Sequence, residues 1–399
     1  MPVNTLDLEI TSLAIGGDGV GRDAKGRVIF VPWTAPGDRI RVELLEERRR
    51  FARGRYVALL EASSVRESPR CGVFGRCGGC AWQHLRYAAQ LEAKAQILRD
   101  ALERIGGFPQ TQAVVVQPSP QQYGYRARAR LWKRGGQVGF YERKSHAVCA
   151  IRDCPVLLPE VAAQIPVLAE GQEMKDGAWE LQADGRGGAR LTPAAGEEFS
   201  TQHTGGRELE DGNSCEIFVL GDRLRISAGV FCQPNLFLLE QLATAVLDAA
   251  GGGDCALELY AGAGLFSLGL ARRFARVVAV EANPTAARDL AFNARRADLH
   301  NLKVLAARAE AAVRTALEPP QVVVLDPPRT GLAPDVLRFL ARGEARRIIY
   351  LACDPATLAR DSARLVAAGY RLTSAVGFDL FPQTPHVEAL AVLELPCAR

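Results

Sequence analysis

Three observations predict an α/β chain built in three parts. Short β-type runs broken by Gly and Asp turns fill residues 1–62, a cysteine-bearing and largely β-type stretch follows over 63–228, and apolar runs alternate with amphipathic helices over 229–399. The expected architecture is an OB-like barrel, a central β-rich domain, and a C-terminal Rossmann-like, doubly wound sheet. At 399 residues, 48% hydrophobic and 24% charged, the chain has ample apolar sequence for a core, which excludes disordered and fibrous classes. No uninterrupted apolar run reaches about 18 residues, and MPVNTLDLEI has neither a basic nor an apolar leader region. The simplest expectation is a cytoplasmic monomer with no membrane segment. Ten cysteines in that reducing setting point to metal binding or chemistry rather than to disulfides.

In the first part, LDLEITSLAI, GRVIFVPW, DRIRVELL and RGRYVALLEAS are separated by GGDG at 16–19 and APGD at 35–38. The basic stretch ERRRFARGR interleaves Arg48, Arg49, Arg50, Arg53 and Arg55 with Phe51, and Tyr56 follows, so cations for phosphates and rings for bases stand together. A solvated hairpin is the plain alternative. Charge is uneven: residues 1–160 carry 25 Lys+Arg against 16 Asp+Glu, and the rest 24 against 29. That distribution suits a nucleic-acid-gripping front joined to an enzyme.

The second part opens with CGVFGRCGGCAWQHL at 71–85, where Cys71, Cys77 and Cys80 have the close spacing of metal-binding thiolates. A helix is expected over about 85–106, closed by Gly106 and Gly107 and able to pack on the C-terminal domain. Beyond it, Arg126, Arg128 and Arg130 recur at period two with Tyr123, Tyr125 and Trp132 nearby, predicting an RNA-facing strand. Residues 170–210 read as loops and edge strands without functional content.

In the third part, the strand CALEL runs through Tyr260 into Gly262 and Gly264, small residues that admit a ligand close to backbone. The third glycine of a dinucleotide fingerprint is missing, since Ser267 stands there. VVAVEAN ends in Glu281, placed to accept from ribose hydroxyls. An adenosine cofactor without a diphosphate fits better than a nicotinamide dinucleotide, and S-adenosylmethionine is the candidate. Asp326 follows the run VVVL in the rigid turn Asp326-Pro327-Pro328-Arg329. Cys353 ends RIIYLA at the start of a helix, whose dipole and free N–H groups are expected to favour thiolate. Glu388, with His386 two residues earlier, precedes the apolar run ALAVLEL.

DPPRTG, YLACDPATLARD and DLFPQTPHVE, in that order behind the Gly-x-Gly turn, resemble the signature motifs of the RNA uracil-C5 methyltransferase family. The front half agrees: AIGGDGVGR and GRVIFVPWTAPGD are similar to a TRAM domain, and C-x5-C-G-G-C resembles the family's iron–sulfur segment. The bacterial 23S rRNA members are the most similar; the bacterial tRNA enzymes, which lack the cysteine segment, match less well. The resemblance implies Cys353 as nucleophile and Glu388 as base. It also implies Gln233, Tyr260, Gly262, Gly264, Glu281 and Asp326 at the cofactor and uracil, and a [4Fe-4S] cluster on Cys71, Cys77, Cys80 and Cys154, with Cys149 the decoy. Zinc on four sulfurs is the physical alternative. Leu265 and Asp354 depart from the family's usual Asn at each position, and Glu310 is offered as an adenine contact. Cys215, Cys232, Cys255 and Cys397 are taken as structural.

The chemistry supports the resemblance on its own terms. C5 of uracil is a poor nucleophile until a thiolate adds at C6, after which C5 takes a methyl group and a base removes its proton. A uridine within folded RNA must be flipped out for this. The rival readings are an iron–sulfur oxidoreductase, methylation elsewhere on a base, tRNA in place of rRNA, and a non-catalytic RNA-binding protein.

Overall fold

The computed structural model describes residues 5–109, 114–184, 186–194, 214–315 and 319–396; Cys397 and part of the expected 170–210 loop region lie outside them. Alternation in TLDLEITSL turns Leu8 and Ile10 inward on β1 (Thr5–Leu13). With β2 (Gly19–Arg22), β3 (Val28–Val31), β4 (Arg39–Glu47) and β5 (Phe51–Glu61) it closes a five-stranded barrel in the order β1-β2-β3-β5-β4. Ile29, Val31, Ile40, Val42 and Ala52 fill the interior. The basic stretch is less free than its composition suggests. Arg48 pairs with Glu46 at 2.9 Å and Arg55 with Glu43, leaving Arg49 and Arg50 as the exposed cations of the β4–β5 turn.

Next come α1 (Tyr87–Arg104), β6 (Val116–Gln117), β7 (Arg128–Arg134), β8 (Gln137–Tyr141), β9 (Val148–Ala150), α2 (Pro159–Ala162), α3 (Gln164–Glu170), β10 (Gly177–Ala183) and β11 (Ala189–Pro193). An antiparallel sheet, β11-β10-β7-β8-β9, forms the centre of this part. Here two expectations change. The arginines of the β7 region do not form a free RNA-facing row: Arg128 is held by both oxygens of the buried Glu180, at 2.8 and 2.7 Å, Arg130 shares Glu180 at 3.2 Å, and Arg126 lies over the Phe140 ring. A guanidinium beside a desolvated carboxylate is worth more paired than solvated. The 170–210 stretch, for its part, contains β10, an inner strand of the sheet and the source of Glu180.

The third part contains the hairpin β12 (Ser214–Val219) and β13 (Asp222–Ser227), then α4 (Leu239–Ala250), β14 (Gly253–Leu259), α5 (Ser267–Ala271), β15 (Phe274–Glu281), α6 (Pro284–Arg296), β16 (Leu302–Ala306), α7 (Ala309–Ala312), β17 (Val322–Leu325), α8 (Pro334–Leu340), β18 (Arg347–Ala352), α9 (Pro355–Ala367), β19 (Arg371–Phe378) and β20 (Glu388–Glu394). The sheet runs β16-β15-β14-β17-β18-β20-β19-β6, parallel except for β20. VVVL and IIYLA are continuous apolar runs, and ALEL is interrupted only by Glu258, because both faces of a parallel sheet are covered. Helix starts are written locally: Asn283 Oδ1 accepts the N–H groups of Thr285 and Ala286 at 2.9 and 3.2 Å, with Pro284 in the first turn of α6.

A boundary at 229 does not describe the packing. The β12–β13 hairpin shares a core with Leu242, Val246 and Leu268, and Asp289 of α6 accepts from Arg225 Nε at 3.0 Å and Ser227 N at 2.7 Å. Likewise α1 buries Leu98, Ala101 and Leu102 against Val323, Tyr350 and Leu358, and β6 pairs with β19. An apolar helix stripe must be covered, and the C-terminal sheet is what covers it. None of the described helices is long and apolar enough to cross a membrane.

The two glycines after β14 serve different ends. Gly264, at φ 102°, would place a Cβ 2.4 Å from Leu290 Cδ1, whereas Gly262, at φ 56°, would meet nothing within 4 Å. Gly264→Ala is therefore expected to destabilise the protein by about 2 kcal/mol through overpacking and strain. Gly262→Ala should cost only about 1 kcal/mol of backbone strain. Urea unfolding midpoints of the two variants check the ranking.

Candidate active site

A cavity of about 520 Å3 opens beyond the C-terminal ends of β14 and β17, where the strand order reverses direction. Gln233, Tyr260, Gly262, Glu281, Asp326, Cys353 and Glu388 all line it. Gly264 does not, and its close packing on Leu290 gives it a place in the support behind the turn. Glu310, on α7, is also outside the lining. Tyr260 adopts φ 65°, a conformation that costs a non-glycine residue about 1 kcal/mol or more and marks a held turn. Glu281 is oriented by two backbone donors, Gly262 N at 2.8 Å and Asn283 N at 2.6 Å.

Sequence reasoning missed Glu258, a buried acid at the penultimate position of β14 that lines the cavity and accepts from the Ser267 hydroxyl. A lone acid inside an apolar core run was the available signal. Four carboxylates thus face one cavity, Glu258, Glu281, Asp326 and Glu388, with Arg329 among the lining residues. Burial pushes Glu258 up to about 8 and Asp326 up to about 7. Burial, with the nearby Asp326 charge, raises Glu388 to about 8. His386 is driven down to about 4, first by burial and then by Arg329, so it is neutral and packs edge-on to Phe381. Gln233 Oε1 and Glu388 Oε2 are buried without a hydrogen-bond partner, polar groups directed to a site that has not been satisfied from within the protein.

Cys353 differs from the expected thiolate. Burial, followed by the Glu388 charge, raises its thiol to about 11. The helix start that was to stabilise the anion is already occupied, because Asp354 Oδ1 accepts the Thr357 N–H at 2.8 Å and Pro355 has no N–H to offer. The Asp354 departure is thus a helix cap, and Leu265 is an apolar part of the cavity wall.

A separate small pocket is lined by Cys71, Cys77, Cys80 and Cys154 together with Phe74, Arg126 and Phe140. Burial raises Cys77 and Cys80 to about 12 and also raises Cys154, with smaller contributions from neighbouring sulfurs. Donors already point at sulfur: Gly79 N lies 3.4 Å from Cys77 Sγ, and the backbone N–H groups of Val156 and Leu157 favour a charged Cys154. Cys149 is not in this lining and takes the Arg76 guanidinium at 3.3 Å instead. Among the described residues, no three His, Cys, Asp or Glu side chains converge closely enough to hold a single metal ion.

Residues 221–395 match the family described as tRNA (Uracil-5-)-methyltransferase, and residues 1–57 match the TRAM domain. An uncharacterized RNA methyltransferase of Synechocystis sp. is 35% identical over 98% of this chain and 96% of its own. The 23S rRNA (uracil(1939)-C(5))-methyltransferase RlmD of Chromohalobacter salexigens is 34% identical over 97% of this chain and 88% of its own. Among solved structures, the Pyrococcus abyssi tRNA (uracil-54, C5)-methyltransferase in complex with S-adenosyl-L-homocysteine superposes with a TM-score of 0.75 at 25% identity, covering 97% of this chain and 100% of that one. With identity of this order sustained over nearly the whole length, and with the barrel and the cavity each in the matching region, the chain belongs to the RNA uracil-C5 methyltransferase family and carries a TRAM domain ahead of its catalytic domain.

Proposed function

We propose that the enzyme methylates C5 of a specific uridine in 23S rRNA, with S-adenosylmethionine as methyl donor and a covalent bond between Cys353 and uracil C6 as the intermediate. The observation that carries this reading is the meeting of Cys353 and Glu388, from β18 and β20, in one cavity with Glu281 and Asp326. Four carboxylates there favour a cationic cofactor and repel a diphosphate, which supports a sulfonium over a dinucleotide. Glu281 suits the ribose. Gln233 and Asp326 suit the polar edge of a flipped uracil, which would give Gln233 Oε1 its missing donor. S-adenosylmethionine supplies the electrophilic methyl group. The chain supplies the rest: the Cys353 thiol gives up its proton to solvent, its sulfur adds to C6 as thiolate and makes C5 nucleophilic, and once C5 carries the methyl group the Glu388 carboxylate accepts the C5 proton. Formation of the C5–C6 double bond then expels the thiolate. Ribosomal RNA is favoured over tRNA by the rRNA-modifying relatives, whose identity to this chain exceeds that of the tRNA enzyme.

The four-cysteine pocket fits a [4Fe-4S] cluster held by Cys71, Cys77, Cys80 and Cys154. All four cysteines line one pocket, and backbone N–H donors suited to anionic sulfur reach Cys77 and Cys154. Such a cluster would offset much of the charge of its four thiolates and fasten the 71–80 loop to the residue 154 region.

Three outcomes are expected. With rRNA carrying 5-fluorouridine and S-adenosylmethionine, the parent protein and Glu388→Gln should form a denaturation-resistant protein–RNA adduct, and Cys353→Ala should form none, because fluorine at C5 does not leave as a proton. An adduct on Cys353→Ala would overturn the mechanism, and sequencing the trapped nucleotide tests uridine 1939 first.

The raised carboxyls make a linkage prediction. Their contribution to stability is full below the unfolded values of 3.8 and 4.5 and is lost as pH rises through about 7 and 8. The gain in melting temperature from Glu388→Gln should therefore grow between about pH 5 and pH 8 and level off above it. Finally, protein purified without oxygen should retain iron and acid-labile sulfide in Cys149→Ala and lose them in Cys154→Ala; zinc in place of iron would overturn the cluster.

A further inference from the structure

Residues 379–384, DLFPQT, lead directly into His386 and Glu388, and of these six only Phe381 lines the cavity. The front half of the chain holds this loop from several sides. Lys94 of α1 is fully buried, pairs with the fully buried Asp379, and donates to the Phe381 carbonyl at 3.0 Å. One turn earlier, Gln90 and Gln383 exchange two hydrogen bonds: Gln383 N donates to Gln90 Oε1 at 2.9 Å, and Gln90 Nε2 donates to Gln383 Oε1 at 3.0 Å. Ala81 N and Trp82 N, immediately after Cys80, both donate to the Gln383 carbonyl, at 3.1 and 3.0 Å. The Tyr125 hydroxyl donates to the Pro382 carbonyl at 2.9 Å. Gln383 itself sits at φ 70°. Strain of that kind persists only where the surroundings over-determine it, and it clusters where geometry serves chemistry.

The other reacting groups are anchored differently. Cys353 stands between β18 and α9, and Glu281 and Asp326 sit at the ends of β15 and β17, all on the parallel strands. Among these, Glu388 alone follows the clamped loop. We propose that Gln90 and Lys94 are positioning residues for the base: through Gln383 and Asp379 they set the reach of Glu388 to the C5 proton, so that proton abstraction depends on the frame built by α1 and the residues after Cys80. The inference rests on the reading of Glu388 as that base. In the step concerned, the C5–H proton passes to the Glu388 carboxylate, the C–H pair becomes the C5–C6 double bond, and the C6–S bond breaks to return the thiolate of Cys353. Methyl transfer precedes this step, and of the loop only Phe381 lines the cavity.

Single-turnover reactions with methyl-labelled S-adenosylmethionine and unmodified rRNA separate the two steps, since label appears first in a denaturation-resistant adduct and then in free RNA. Gln90→Met should form adduct within about twofold of the parent rate, while its release of methylated RNA slows by about tenfold to a hundredfold, the scale of a small misplacement of a reacting group. Because a buried amide pair is broken in that variant, the double variant Lys94→Met with Asp379→Leu serves as a second test: it replaces the ion pair by apolar groups, a change that buried pairs tolerate. It should show the same split. Parallel slowing of both steps, or normal release, in the folded variants overturns the proposal while leaving the base assignment intact. Normal release by Glu388→Gln in the same assay overturns the base assignment itself.

Discussion

The buried ion pair between Lys94 and Asp379 ties the two ends of the chain together, and the working site depends on it. Neither side chain has any solvent exposure. Removing one member of such a pair strands the other in low dielectric and costs about 3–5 kcal/mol, far more than a surface pair. The same helix supplies Gln90 to Gln383 and an apolar stripe to the C-terminal core, so α1 is covalently part of the front half and physically part of the catalytic half. Arg128 ties the halves a second time, bridging Glu180 of the central sheet and the Val230 carbonyl three residues before Gln233. Helix α1, the central sheet and the catalytic domain are consequently fastened to one another, although the chain passes through them in sequence.

Electrostatics in the cavity follow from how little water reaches it. Burial is the main reason that Glu258 and Glu388 rise to about 8 and Asp326 to about 7, with smaller like-charge contributions at Glu258 and Glu388. A cation entering that space relieves the repulsion. Cys353 obeys the same logic: burial, followed by the Glu388 charge, raises its thiol to about 11.

Most of the site was legible in the sequence because each element announces its own end. Gly262, Glu281, Asp326 and Cys353 follow apolar runs, and the carboxyl ends of parallel strands lie on one edge by topology. The resemblance added Gln233 and Glu388, which no local pattern distinguishes from a buried amide and a surface acid. Glu258 was passed over because an acid inside a core run reads as an interruption, and its meaning appears only when Ser267 and the cavity are in place. Cys154 and Cys149, five residues apart, are alike in sequence; only Cys154 is in the lining of the cysteine pocket, while Cys149 accepts from the Arg76 guanidinium.

By itself, then, the sequence determined the barrel, the alternation of strands and helices behind it, and Gly262, Glu281, Asp326 and Cys353 at the cavity, since period-two and period-3.6 patterns and turn residues act over a few positions. Tertiary structure decided the matters of partnership. It took Arg128 away from RNA and gave it to Glu180, made Asp354 a cap, left Cys353 a thiol, set Gly264 behind the site, and placed α1 on the catalytic sheet. Desolvation and the pairing of buried charges depend on groups far apart in the chain, and no local pattern carries that information.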